Sequence, residues 1–295
     1  MEFAAFALTH FGIMLLLALS CYVLGRRLTY SVAYGSTWDE IAFSTGLGLG
    51  CTSYVVLALG FLGFLYVHVV MLVLLCLQLL SYKVWYDLAG RVVRALRDKQ
   101  RFLRRLAWTV AAIALLTPIW VLPLYPPTNY DATVYHLAVA KQYIQDHRIT
   151  LAEYLRYPLI PQTNEMLFAL ALFYDDITAQ LVQFLMMLLI AVTIYAAGSR
   201  MFSPRVGLWS AGLWLANPLV LWLGASALID IGLAMFVCLA AYALLLWIES
   251  NDRKWLVLSG VFTGFSAASK HNALFFLGAF SLVVAYVGLR RRHRE

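Results

Sequence analysis

The polar positions of this chain fall in clusters separated by long apolar runs. Nine such runs, at roughly 3–24, 41–60, 64–82, 106–124, 177–199, 205–224, 227–248, 255–270 and 273–289, read as helices that cross a bilayer. Most supply the ~20 residues that a hydrocarbon core about 30 Å thick requires. The last two are shorter and are parted only by Lys270-His271-Asn272, so they predict a tight hairpin. The first run has no basic stretch before it, and Arg26-Arg27 follow it, which is the pattern of an uncleaved first helix and not of a signal peptide.

The longest polar interruption runs from Tyr125 to Glu165. Pro126-Pro127-Thr128-Asn129 is a breaker and cap signal. Beyond it Val134, Leu137, Ala138, Lys141 and Ile144 recur at three- and four-residue steps, the spacing of a helix. Pro158 and Pro161 break the chain again. Thr163-Asn164-Glu165 then opens MLFALALFY, too short to span and too apolar to lie free in water, which suits a second helix in the membrane interface. The pattern predicts an all-α, polytopic transmembrane bundle of about nine spans, with two juxtamembrane helices in the large external loop. Residues 1–105 would form three N-terminal helices and a basic linker, and residues 106–295 a core that carries the loop at 125–176.

Composition agrees with the pattern. The chain is 63% hydrophobic and 13% charged, where soluble domains are about 45–50% apolar and about 25% charged. Of the 22 Lys and Arg, 18 fall in the loops and ends that hold Arg26, Arg91, Arg200, Arg253 and Arg290, and only Lys141, Arg148, Arg156 and Lys270 fall in the other set. The positive-inside rule makes the first set cytoplasmic, with the N-terminus outside and the C-terminus inside. This distribution accounts for the net charge of +7 without a nucleic-acid partner. The segment 83–105 reads either as an interfacial basic helix touching anionic lipid or as a solvated linker. The four cysteines (Cys21, Cys51, Cys76, Cys238) all lie within apolar runs and show no metal or disulfide spacing.

The order of these features resembles the GT-C glycosyltransferases. The segments YDATVYHLAVAKQYIQDHRI, YPLIPQTNEMLFALAL and AQLVQFLMMLLIAVTIYAAGSRMFSPRVGLWSAGLWLANPLVLW carry the likeness, over roughly residues 106–289. They are similar to the bacterial group that includes dolichyl-phosphate-mannose–protein mannosyltransferases and aminoarabinose transferases. The resemblance implies a multi-pass enzyme of the bacterial inner (plasma) membrane. Such an enzyme moves a sugar from a polyprenyl-phosphate donor to a lipid, glycan or protein acceptor on the extracytoplasmic side, with a catalytic aspartate in the first large external loop. Two departures stand out. The family's loop often shows paired acids, whereas Asp131 is followed by Ala132. Family members are also usually longer, so the core is expected to be C-terminally incomplete.

Asp131 is the candidate general base for an inverting transfer, and a helix N-cap is its plain alternative. Tyr135, four residues on, should share its face, and with His136 it would orient the base or contact sugar hydroxyls. Glu165 is a second acid or a ligand for a divalent cation (Mg2+ or Mn2+), or simply a carboxylate at a helix start. Asp230, at the end of an apolar run, is a costly placement that marks a cavity wall or metal ligand. Lys270, with His271 beside it, would hold the donor phosphate, and Arg156 is a second candidate for that task. Asp175-Asp176 is expected only to cap a span. A transporter or lipid flippase, or a non-catalytic truncated family member, are the competing readings. Against transport, no charged residue is clearly central in a span and no internal repeat is evident.

Overall fold

The computed structural model describes residues 2–97, 103, 107, 117–151, 153–154 and 161–292. Among these every regular element is helical. In chain order they are α1 (Glu2–Leu28), α2 (Thr37–Phe61), α3 (Val67–Leu80), α4 (Tyr82–Arg97), α5 (Thr117–Val121), α6 (Leu137–Gln145), α7 (Thr163–Leu172) and α8 (Asp176–Met201). They continue with α9 (Pro204–Ala216), α10 (Pro218–Gly224), α11 (Asp230–Ser250), α12 (Arg253–Ala267) and α13 (Ala273–Arg292). A 3-10 turn at Leu122–Leu124 and a π-helical turn at Ala132–His136 complete the set.

Local chemistry sets the helix ends. Ser36 caps α2 by accepting from the Asp39 amide at 3.1 Å. Asp175 caps α8 through the Thr178 amide at 2.7 Å, as its position suggested. Ser203-Pro204 and Asn217-Pro218 each combine a capping side chain with a proline in the first turn, where the missing N–H costs nothing. Asn251 closes α11 in the left-handed region at φ 57°.

Five helices are long and apolar enough to span: α1, α2, α8, α11 and α13. The count rises to seven if two bent pairs, α3–α4 at 68° and α9–α10 at 69°, are each one span. The nine expected spans are therefore not reached among the described residues. Most of the run at 106–124 lies outside them, and the run at 255–270 forms a helix of 15 residues, about five short of a full crossing.

The core is built around α8 and α11, with Phe184, Met186, Met187, Phe236 and Leu239 fully enclosed. Helix α2 belongs to this same core through Phe43, Leu47 and Leu49. It meets α1 backbone to backbone: a Cβ on Gly48 would sit 1.8 Å from the Cys21 carbonyl oxygen, and one on Gly25 would sit 1.8 Å from that of Ser44. Small residues at such crossings let membrane helices pack closely. Helix α7 packs inside the protein. Thr163 to Ala171 are all buried, enclosed by protein on every side, because α2, α6 and α8 surround it.

Tertiary hydrogen bonds sort the loops into two ends. At one end the Ile149 amide donates to the Gly60 carbonyl at 3.0 Å, the Leu65 amide to His147 at 2.9 Å, and the Thr163 amide to Ala268 at 3.2 Å. His10 on α1 lies 2.7 Å from Asp175 at this same end. At the other end Lys254 reaches the Ser31 carbonyl at 2.8 Å and Arg200 pairs with Glu249 at 3.1 Å. The polar island, the start of α11 and the α12–α13 turn thus share one end of the bundle.

Candidate functional site

Asp131 stands at the first turn of the island, exposed to solvent. Its carboxylate does not cap the helix. Asn129 does that work instead, its Oδ1 accepting from the Asp131 amide at 3.0 Å, an Asx turn of the kind Asn favours. The carboxylate is left for another partner.

The residues after Asp131 wind as a π-helical turn, with the Leu137 amide bonded to the Ala132 carbonyl five residues back. The extra residue in the turn changes the phase expected for a regular helix. Tyr135 becomes half-buried and His136 turns inward, 4% exposed. π-turns recur where a helix must aim side chains for function. The two rings stay adjacent, with centroids 4.3 Å apart.

His136 Nδ1 meets Glu165 Oε1 at 2.7 Å, and Glu165 is fully buried at the start of α7. Burial pushes the Glu165 carboxyl above the usual carboxylate range, and the bond to His136 offsets part of that rise. Its second oxygen has no hydrogen-bond partner among the described residues. Tyr143, one helix over on α6, is raised by its own burial and by the nearby Glu165.

A neutral polar network lies at the same helix start as Glu165. Gln183 on α8 donates to Asn164 Oδ1 at 3.3 Å and accepts from the Gly232 amide at 3.1 Å. Gly232 has no room for a side chain, since a Cβ there would lie 1.9 Å from Asn164 Oδ1. Ser53 on α2 donates to the Thr163 carbonyl at 2.6 Å. Asn164 belongs to the polar triplet that opens α7, whereas Gln183 and Ser53 lie within apolar runs, where a lone polar side chain is the signal in the sequence.

Asp230 and Lys270 come together at 2.7 Å, with side chains 42% and 34% exposed. They sit at the start of α11 and just past the end of α12, and the Thr163–Ala268 bond ties this pair to the start of α7. His271 lies beside them, exposed. Asp131, Tyr135, His136, Glu165, Asp230, Lys270 and His271 therefore all lie at one end of the bundle, and Arg156 falls outside the described residues.

The divalent-cation expectation finds little support in the donor set. Among the described residues no three His, Cys, Asp or Glu side chains gather as a metal site. Glu165 already spends one oxygen on His136, and Asp230 one on Lys270.

A family model described as dolichyl-phosphate-mannose-protein mannosyltransferase matches residues 158–295. An uncharacterized protein of Shigella flexneri is 32% identical over 138 residues, which cover 44% of this chain and 68% of that protein. No solved structure matches the chain. The matched stretch of the family includes Glu165, Asp230, Lys270 and His271, whereas Asp131, Tyr135 and His136 precede it.

Proposed function

The chain belongs to the dolichyl-phosphate-mannose-protein mannosyltransferase family, and from that premise we propose that it transfers a sugar from a polyprenyl-phosphate donor to an acceptor on the extracytoplasmic side of a membrane. One observation carries the reading: an exposed, uncapped carboxylate and a half-exposed lysine–aspartate pair share the end of an apolar bundle. Both halves of a transfer reaction, an acceptor base and a phosphate holder, are then within one polar rim.

In this mechanism Asp131 takes the proton from the acceptor hydroxyl as its oxygen attacks the anomeric carbon. The bond from that carbon to the phosphate oxygen breaks, and polyprenyl phosphate leaves with the electron pair. A single displacement of this kind inverts the anomeric centre. Lys270 neutralises the leaving phosphate as a point charge, and Arg156 is a second cation for it. Without donor, Asp230 holds Lys270 in place; with donor, the phosphate takes over that contact and Asp230 turns to the sugar or acceptor. His136 and Glu165 hold the turn that carries Asp131, with Tyr135 and His271 at the rim. The donor's isoprenoid chain lies in the bilayer beside the bundle, so no soluble carrier is needed.

The test is release of polyprenyl phosphate from a labelled polyprenyl-phosphate sugar in reconstituted membranes. Wild-type chain should release it with net transfer to acceptor, and Asp131→Asn should lower the rate by about 100-fold or more. Full activity in Asp131→Asn at normal abundance would remove the base assignment. No turnover by the wild type with any membrane acceptor would remove the enzyme reading and favour a non-catalytic member.

A further inference from the structure

Helix α4 lies at the end of the bundle away from the candidate site, and the reaction makes no use of it. It turns by 68° from α3 at Ser81. Its 16 residues, YKVWYDLAGRVVRALR, carry Lys83, Asp87, Arg91, Arg94 and Arg97, and basic or acidic side chains cost about 2.5–3.5 kcal/mol each at the centre of a bilayer. That density of charge disfavours the hydrocarbon core for α4, and the 68° bend directs it away from the apolar helix α3.

Its two faces are well separated. Tyr82, Tyr86, Val92, Val93 and Leu96 are exposed, from 50% to 80%, and fall within about a third of the helix circumference. Lys83, Arg94 and Arg97 fall on the adjoining strip, together with Asp87. One contact fixes the pose: Arg91 donates to Glu40 on α2 at 2.7 Å, and Glu40 also takes a hydrogen bond from Tyr22. Arg26 lies 3.6 Å from the same carboxylate. Arg91 is thereby committed inward, and no ion pair forms to Lys83, Arg94 or Arg97 among the described residues.

We propose that α4 is a docking surface for anionic phospholipid, its apolar side chains entering the acyl layer and Lys83, Arg94 and Arg97 meeting headgroup phosphates. Charge complementarity selects this occupant: the strip carries three cations against one carboxylate, Asp87, and a neutral bilayer would satisfy the apolar face but leave that net positive charge unmatched. The helix start also adjoins an apolar cavity of about 860 Å³ between α1, α3 and α8, where Tyr82 and Trp85 form part of the wall beside Leu16, Leu75 and Leu79. Acyl chains of lipids held at α4 can extend into it.

The test is hydrogen exchange on the full chain in nanodiscs of neutral phosphatidylcholine and of phosphatidylcholine with phosphatidylglycerol. Each basic residue near an anionic surface is worth roughly fivefold in binding, so three give on the order of a hundredfold before screening. Amides of residues 88–97 should exchange at least ~10-fold more slowly in the anionic discs, while α8 is unchanged. The variant Lys83→Gln/Arg94→Gln/Arg97→Gln, which keeps Arg91 and the α2 contact, should lose that difference. Equal exchange in the two discs, a difference that survives in the variant, or equal slowing of α8 would each overturn the proposal.

Discussion

Glu165 shows how much a single residue's surroundings decide. In Thr163-Asn164-Glu165 it looks like an ordinary helix-start carboxylate, yet it is fully buried against His136, a residue 29 positions away. No local pattern could reveal that partner, because it depends on α6 and α7 folding against each other. Asp131 was legible as a candidate because it opens a polar island, but only the structure shows Asn129 taking the cap from it. The buried pair makes a titration prediction. Burial raises the folded-state affinity of the Glu165 carboxyl for its proton, so folding takes up a proton between the ordinary carboxylate range and the raised value. The stability from this proton is complete below that window and is lost as pH rises through it. Glu165→Gln, similar in shape and uncharged, should flatten the decline. It should also raise the thermal midpoint in detergent near pH 7 by roughly 2–4 °C, the shift that about 1 kcal/mol gives a chain of this size. A lower midpoint for the variant at pH 7 would show that the ionised carboxylate stabilises the fold. On the other side of the rim, Lys270→Met should cut kcat/KM for the phosphate donor by about 100-fold, the scale of removing one stabilising charge. Donor kinetics unchanged in that variant would dissociate the lysine from phosphate.

At the scale of elements, apolar runs located most helices because their period and length are local properties. Bends were only partly legible. Asn217-Pro218 divides an apolar stretch that reads as one continuous span, whereas the bend at Ser81 falls where an apolar run gives way to a basic segment. The composition of α7 says nothing of the three helices that wrap it. The α1–α2 contact was equally hidden, since a glycine in a span signals close approach only once its neighbour is known. That contact predicts a contrast between two glycines. Gly48→Ala would drive a methyl into the Cys21 carbonyl and should lower stability by about 1–3 kcal/mol through the shift it forces. Gly212→Ala on α9 meets nothing within 4 Å and should raise stability by up to about 1 kcal/mol, through helix propensity alone. Thermal unfolding of both variants in the same detergent checks the pair. Equal effects would mean that α1 and α2 do not approach this closely.

For the whole molecule, the decisive property is which loops share an end. Sequence charge alone divides the loops into a basic set and an acidic one, and the hydrogen bonds between distant loops reproduce that division: Ile149 to Gly60 and Thr163 to Ala268 at one end, Lys254 to Ser31 at the other. The division survives the smaller span count because a bent pair such as α9–α10 still carries the chain from one end to the other. With Arg26, Arg91, Arg200 and Arg253 at the end opposite Asp230 and Lys270, the positive-inside rule predicts that the candidate site faces outward. His271→Cys and Arg205→Cys, both at exposed positions, report the two ends, and the native cysteines lie in apolar segments that an impermeant reagent does not enter. In intact cells an impermeant maleimide should label His271→Cys at once and Arg205→Cys only after permeabilisation. The reverse order would place the site in the cytoplasm, where a donor facing the outer leaflet could not reach Lys270. Labelling of both from one side would mean that the helices joining them do not cross, and the division into two ends would fail with them.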